Sequence, residues 1–265
     1  MSNRTVIRGE RLRLGTVRRW RGARSGWPPG NLPLIALRQW RAERRARRLG
    51  SNFRTSHNDA AVGAYTAMSP ALFAAVNARQ AWANWRTIPA TLHGRAPRRP
   101  LRILDLACGD GSTCAVLAHH SLPSSRIIGL EFASRLVDRA NARSYHHANG
   151  SPAQVTVLTA SILDPFIDEH GAVIADGSID WINCSGALVH HFDSEQLMAI
   201  AAECARVLMP GGWAAVDTDG RRRDDPVRQA FRAAGLNGEA RVRSCPVDRY
   251  PQACFHKPVN GYGPA

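Results

Sequence analysis

A chain of 265 residues with 44 % hydrophobic content can bury one large domain with a lobe or extension, and is short for two full domains. No apolar run approaches the length that spans a bilayer, which argues against an integral membrane helix. The formal net charge of +14 is lopsided: residues 1–50 hold 14 arginines against two glutamates, and the remainder is close to balanced.

Residues 1–50 read as a basic, Arg-rich extension with Trp20, Trp27 and Trp40 interleaved, and with Pro28, Pro29 and Pro33 breaking any long helix. Three readings fit this segment. It is a solvated extension; or a basic arm for nucleic acid or anionic lipid, in which Arg meets phosphate and Trp stacks; or an acid-poor targeting peptide. Arg18–Arg19 lack the following apolar run of a twin-arginine export signal.

Residues 51–99 read as a helical lid and linker. Alanines between 57 and 93, with Leu72, Phe73, Val76, Trp82, Trp85 and Ile88, propose two or three short helices, broken at Ser69–Pro70 and ended before Pro89. Trp82 and Trp85 read as packing on the sheet edge, and Tyr65 is the residue here expected near a substrate. GRAPRRP (Gly94–Pro100) is a linker, and residues 100–265 form the core domain.

From Leu101 strands and helices alternate. A strand over 101–107 leads to a helix over 112–120. Arg126–Glu131 follows as a strand, with a helix through Leu136, Val137 and Ala140 behind it. Gln154–Ala160 and Ser178–Ser185 are the next strands. A helix over 194–208 stops at Pro210–Gly211–Gly212, a strand covers Trp213–Asp219, and a helix runs to Gly235. The tail holds two β segments joined near Pro246–Pro251. This pattern predicts an α/β fold: a doubly wound, mostly parallel seven-stranded sheet with a terminal antiparallel hairpin, preceded by the helical lid.

Six cysteines, at 108, 114, 184, 204, 245 and 254, include no C-x-x-C pair, and no secretory signal is seen. They read as reduced, mostly buried thiols of a cytoplasmic protein. The histidine doublets at 119–120, 146–147 and 190–191 point about 100° apart on a helix and chelate poorly, so no metal is expected.

The stretch LRILDLACGDGS (Leu101–Ser112) carries the functional signal. A buried strand ends in the acid Asp105 and enters a turn built on Gly109 and Gly111, after which Ser112 or Thr113 can cap a helix. Amides at such a helix start are ready donors for a nucleotide-like ligand. The third glycine of a dinucleotide fingerprint is missing, which disfavours a nicotinamide enzyme. Glu131 closes the second strand, where an acid can accept both ribose hydroxyls.

These features, together with TASILDPF (Thr159–Phe166), SIDWINCSGALVHHF (Ser178–Phe192) and VLMPGGW (Val207–Trp213), resemble the class I, Rossmann-like S-adenosylmethionine (SAM)-dependent methyltransferase family in order and spacing over about residues 100–257. The resemblance implies SAM as the cofactor. It implies that Asp105, Ala107, Gly109 and Gly111 serve the methionine end, with Asp105 orienting the turn, and that Glu131 and Phe132 serve the ribose side. Ser161 and Ile162 would serve the adenine. Ser161 stands where the family most often has Asp, so either Ser161 takes that role or Asp164 substitutes from the turn. Cys184 and Ser185 lie where open α/β sheets place their ligands. Asn183–Gly186 is not the Asp/Asn-Pro-Pro-aromatic run of amino methylation of DNA bases.

His190 and His191 are the catalytic candidates, with His191 favoured as the position matching the family's recurrent His, and His190 also a substrate contact. Either imidazole could take a proton from a hydroxyl or amine; the other reading is that the pair only shapes the pocket wall. The expected function is methyl transfer from SAM to a small-molecule acceptor, on O, N or C, by in-line displacement. The alternatives are an RNA or protein methyltransferase using the basic arm, and a non-catalytic SAM-binding partner subunit.

Overall fold

The computed structural model describes residues 32–51, 53, 58–222, 224–246 and 248–259. The Arg-rich stretch before Leu32, on which most of the arm and targeting readings fall, lies outside them. Four helices come first: α1 (Leu32–Arg48), α2 (Asn58–Ala67), α3 (Pro70–Val76) and α4 (Ala78–Arg95). The alternating part follows as β1 (Arg102–Leu106), α5 (Ser112–His120), β2 (Arg126–Glu131), α6 (Ser134–Asn141) and β3 (Gln154–Thr159). It continues as β4 (Ile179–Cys184), α7 (Leu188–His191), α8 (Ser194–Val207), β5 (Leu208–Asp217), α9 (Pro226–Ala233), β6 (Asn237–Val242) and β7 (Gln252–His256).

The seven strands form one sheet in the order β3-β2-β1-β4-β5-β7-β6. β1 to β5 are parallel to their neighbours, while β7 runs antiparallel to both β5 and β6. The chain leaves the sheet on one side of β1 after β3 and re-enters on the other at β4. That reversal opens a crevice beyond the carboxyl ends of β1 and β4, the place where open α/β sheets bind ligands.

Side-chain alternation along the strands fills two cores. Leu104, Leu106, Ile128 and Ile182 face α8 and α9 with Phe231, whereas Ile103, Ile127, Val157 and Trp181 face α4, α5 and α6 with Leu92 and Leu117. A smaller cluster of Ala46, Phe53, Met68 and Val76 joins the N-terminal helices to one another. Among the described residues no helix is long and apolar enough to cross a membrane.

Three elements differ from the sequence expectation, each for a physical reason. First, α4 does not end before Pro89 but runs through it to Arg95. Losing one backbone bond at Pro costs about 3 kcal/mol, and the continuous helix buries Ile88 and Leu92, at 0 % and 2 % exposure, worth roughly 1.5–3 kcal/mol each. Second, Pro33 does not prevent a long helix. It is the second residue of the 17-residue α1, where its missing N–H would have had no intrahelical partner anyway. Third, Pro210–Gly212 is not a turn ahead of β5 but a bulge inside it, between the pairs Ile179↔Leu208 and Trp181↔Trp213. Gly211 N donates to Lys257 O at 2.8 Å. Any side chain on Gly212 would press on backbone oxygens of Met209, Ile179 and Asp180 at 2.9–3.2 Å.

α8 begins with a reciprocal cap. Asp193 Oδ1 accepts from Gln196 N at 2.9 Å, and Gln196 Oε1 accepts from Asp193 N at 3.1 Å. Asp193→Ala removes one arm of this box and is expected to lower stability by about 1 kcal/mol, read as a shifted urea midpoint with an unchanged slope.

Candidate active site

The turn after β1 is built from backbone that side chains rarely adopt. Ala107 has φ 51°, Gly109 φ 59° and Gly111 φ 76°. A non-glycine residue in this region costs roughly 1–2 kcal/mol, and Ala107 lines the cavity at the crevice. Packing beneath the turn is tight. A Cβ on Gly129 would lie 2.7 Å from Cys108 Sγ and 3.2 Å from Cys114 Sγ, so the two thiols fill the space that glycine leaves on β2.

Two buried carboxylates stand under the turn and do different work. Glu131 Oε2 accepts from Gly109 N at 2.9 Å and its Oε1 accepts from Ala133 N at 3.0 Å. Asp105 accepts from Cys114 Sγ at 3.2 Å and from Asn183 Nδ2 at 2.7 Å, tying α5 to β4. The expectation that Asp105 orients the glycine turn is therefore corrected. Glu131 bonds the turn directly, and Asp105 is fully enclosed one layer below. Burial pushes both carboxyls up to about 7, against two amide bonds on Glu131 and the Asn183 and Cys114 bonds on Asp105 that favour ionisation.

A third carboxylate, Asp217 at the end of β5, accepts from Gly186 N at 3.0 Å and from Ala187 N and Val189 N at 3.3 Å. It pins the turn that presents His190 and His191 on α7. Tyr65 Oη lies 3.4 Å from His191 Nε2, and the Tyr65 ring meets His191, Phe132 and Phe73 edge-on. His190 meets Tyr250 edge-on with centroids 4.7 Å apart.

One cleft, partly open to solvent, joins these groups. Of the residues expected from the sequence, Ala107, Gly109, Glu131, Phe132, Ser185, His190, His191 and Tyr65 line it. Asp105, Gly111, Ser161, Ile162 and Cys184 do not. Ser161 Oγ is instead the acceptor of the Leu163 amide at 3.1 Å. Ile162 and Cys184 belong to the core against α8, Gly111 abuts Tyr145 and Ala140, and Asp164 is exposed to solvent.

Other residues of the wall were not visible beforehand. Phe73, Gln80, Asn84 and Tyr250 all line the cleft. Gln80 Nε2 donates to Asn84 Oδ1 at 2.8 Å and Asn84 Nδ2 to Thr113 Oγ1 at 3.2 Å, a polar chain reaching the start of α5. Beneath the floor Gln252 Nε2 donates to Ser185 Oγ at 2.6 Å and to Asn183 Oδ1 at 3.2 Å. Asp217 had a signal, an acid closing a central strand; Gln80, Asn84 and Gln252 had none. Arg139 pairs with Asp110 at 3.4 Å and donates to Pro70 O at 3.1 Å, linking α3 to the glycine turn.

These residues fit a SAM-type cofactor. The Glu131 oxygens accept from backbone amides and keep acceptor capacity for a ribose hydroxyl, and the missing side chain at Gly109 lets the Phe73 ring close directly on the turn, its Cζ 2.7 Å from where a Cβ would stand.

Residues 103–212 match the family model described as a methyltransferase domain. Among curated proteins, an uncharacterized 37.1 kDa protein of a Streptomyces fradiae transposon is 35 % identical over 109 residues, 41 % of this chain and 27 % of that protein. The ubiquinone biosynthesis O-methyltransferase of Thiobacillus denitrificans is 24 % identical over 165 residues, 62 % of each chain. The chain thus spans about a quarter and less than two thirds of these relatives' lengths. Among solved structures, the magnesium protoporphyrin IX methyltransferase of Synechocystis PCC 6803 with bound SAM shares the fold, with a TM-score of 0.54 at 13 % identity over 80 % of this chain and 97 % of that one. Residues 103–212 are thus similar to a methyltransferase domain, and the chain shares the fold of a methyltransferase that binds SAM.

Proposed function

We propose that this chain transfers the methyl group of SAM to a small-molecule acceptor. The observation that carries the reading is a single cleft running from Gly109, Glu131 and Phe132 to His190, His191, Tyr65 and Tyr250. It puts the glycine turn and the histidine pair on one continuous lining. The names of the Thiobacillus relative and the Synechocystis neighbour point the same way, since both act on small molecules.

SAM supplies an electrophilic methyl on a sulfonium that departs as a thioether, so the task of the protein is alignment. Holding reactants in near-attack geometry contributes roughly 7–11 kcal/mol to lowering such a barrier. When SAM is bound, Glu131 would receive the ribose diol and the amides at the start of α5 would receive the methionine end. Phe132 lines the cleft beside Glu131. His191, braced by the Tyr65 hydroxyl and by the α7 turn that Asp217 pins, takes the proton the acceptor releases. Residues of α1, α3 and α4 form part of the cleft wall.

Calorimetric titration with SAM and S-adenosylhomocysteine tests the first half, and a mass-shift screen over candidate acceptors the second. Both ligands are expected to bind wild type and neither to bind Gly109→Arg. Failure of wild type to bind either, or full binding by the variant, would falsify the reading. On an acceptor so found, His191→Ala is expected to lower kcat by roughly 10²–10⁴-fold with SAM affinity unchanged.

A further inference from the structure

The outward face of α1 has a character the catalytic reading does not use. On the inner side Ile35 packs with Ala78 and Trp82 of α4, and Gln39 Oε1 accepts from Arg79 N at 2.8 Å. Leu32 and Gln39 also line the cleft. The helix is therefore fixed to the cavity wall and is part of it.

On the outer side Leu34, Leu37 and Trp40 are 45 %, 42 % and 50 % exposed. Arg38, Arg41, Arg44, Arg45, Arg47 and Arg48 are exposed beside and beyond them. At 100° and 1.5 Å per residue, the three apolar side chains occupy the N-terminal half of the face. The arginines fill its C-terminal half, within a length of about 21 Å. The guanidinium of Arg44 lies 4.8 Å over the Trp40 ring, which joins the two halves. The helix's one acid, Glu43, accepts from Gln39 Nε2 at 2.8 Å and leaves the outer charge uniformly positive.

We propose that this face is a docking surface for an anionic lipid bilayer. Leucine and tryptophan on the exposed side of a helix enter the boundary between headgroups and acyl chains, while arginines on the same helix meet lipid phosphate. The attraction of each basic side chain to such a surface falls off within a Debye length. Nucleic acid would use the arginines and could stack on Trp40, but has no contact for Leu34 and Leu37. The bilayer accounts for both halves of the face. The proposal stands independently of methyl transfer.

The test uses the full chain and sedimentation with phosphatidylcholine vesicles, with and without phosphatidylglycerol. Two variants separate the halves of the face: Leu34→Glu with Leu37→Glu and Trp40→Ala, and Arg41→Glu with Arg44→Glu and Arg48→Glu. Binding is expected only to the phosphatidylglycerol vesicles, to weaken with added salt, and to fall at least tenfold in each variant. All six positions are exposed, so both variants are expected to keep the wild-type thermal midpoint. Absence of binding to anionic vesicles overturns the proposal, as does binding that both variants retain. Loss confined to the arginine variant, with an RNA oligonucleotide competing for the same protein, assigns the face to nucleic acid and overturns it too.

Discussion

Glu131→Gln is expected to weaken SAM binding by roughly 100-fold or more and to remove much of the pH dependence of both affinity and stability. In wild type the carboxylate accepts from Gly109 N and Ala133 N, and bonds to a charged acceptor are worth about 1.5–3 kcal/mol each. The amide keeps the shape but turns an –NH₂ toward one of those N–H groups, so the turn loses a partner and the ribose an acceptor. The carboxyl is pushed up to about 7 by burial, and so is Asp105. The native state therefore holds protons that the unfolded chain has released, from the ordinary carboxylate range up to about pH 7. Stability without cofactor rises as pH falls through that window, by on the order of 3–4 kcal/mol per group at full protonation. With Glu131 in its proposed role at the ribose, SAM affinity is expected to run the opposite way, since the ionised form is the stronger acceptor. Calorimetry in two buffers of different ionisation heat checks this. Wild type should release a proton on binding SAM near pH 6, and the variant should not. Identical buffer dependence in the two proteins would contradict the assignment of Glu131.

Gly111→Ala is expected to destabilise the fold by about 3–5 kcal/mol, although it adds one methyl group. Two effects combine. The φ of 76° costs an L-residue roughly 1–2 kcal/mol. The new Cβ would also overlap the Tyr145 hydroxyl and sit 2.9 Å from Ala140 Cβ. Tyr145 Oη donates to Ala140 O at 2.8 Å in a buried bond, so displacing it breaks a second interaction. Gly235 is the built-in control, with φ 82° and nothing within 4 Å of an added Cβ. Gly235→Ala should show the backbone cost alone. Equal urea midpoints for the two variants would mean that packing under the turn contributes nothing.

The strand–turn–helix unit at Leu101–Ser112 and the acid at Glu131 were legible because each is a local pattern with one structural solution. The division of labour between Asp105 and Glu131 was not. Both are acids closing or nearly closing parallel strands, and which one reaches the turn amides depends on side-chain direction in three dimensions. Ser161 has only its position to suggest a role; its Oγ accepts from Leu163 N and it does not line the cleft. The helices before β1 were legible as helices, yet the continuation through Pro89 rests on tertiary burial that local rules do not contain. Gln80, Asn84 and Gln252 reach the site from α4 and β7, far away in sequence. No spacing rule links them to Ser185 or Thr113.

The strand order at the sheet's edge also bears on how the site comes into being during synthesis. β6 is made before β7 but has no neighbour in the sheet until β7 inserts between it and β5. Gln252, the first residue of β7, carries the bonds that complete the floor at Asn183 and Ser185. A nascent chain translated as far as α9 has its glycine turn, Glu131 and both histidines, but its cleft floor is unfinished. The bonds that brace Asn183 and Ser185 beneath the cleft can therefore form only after β7 has been made.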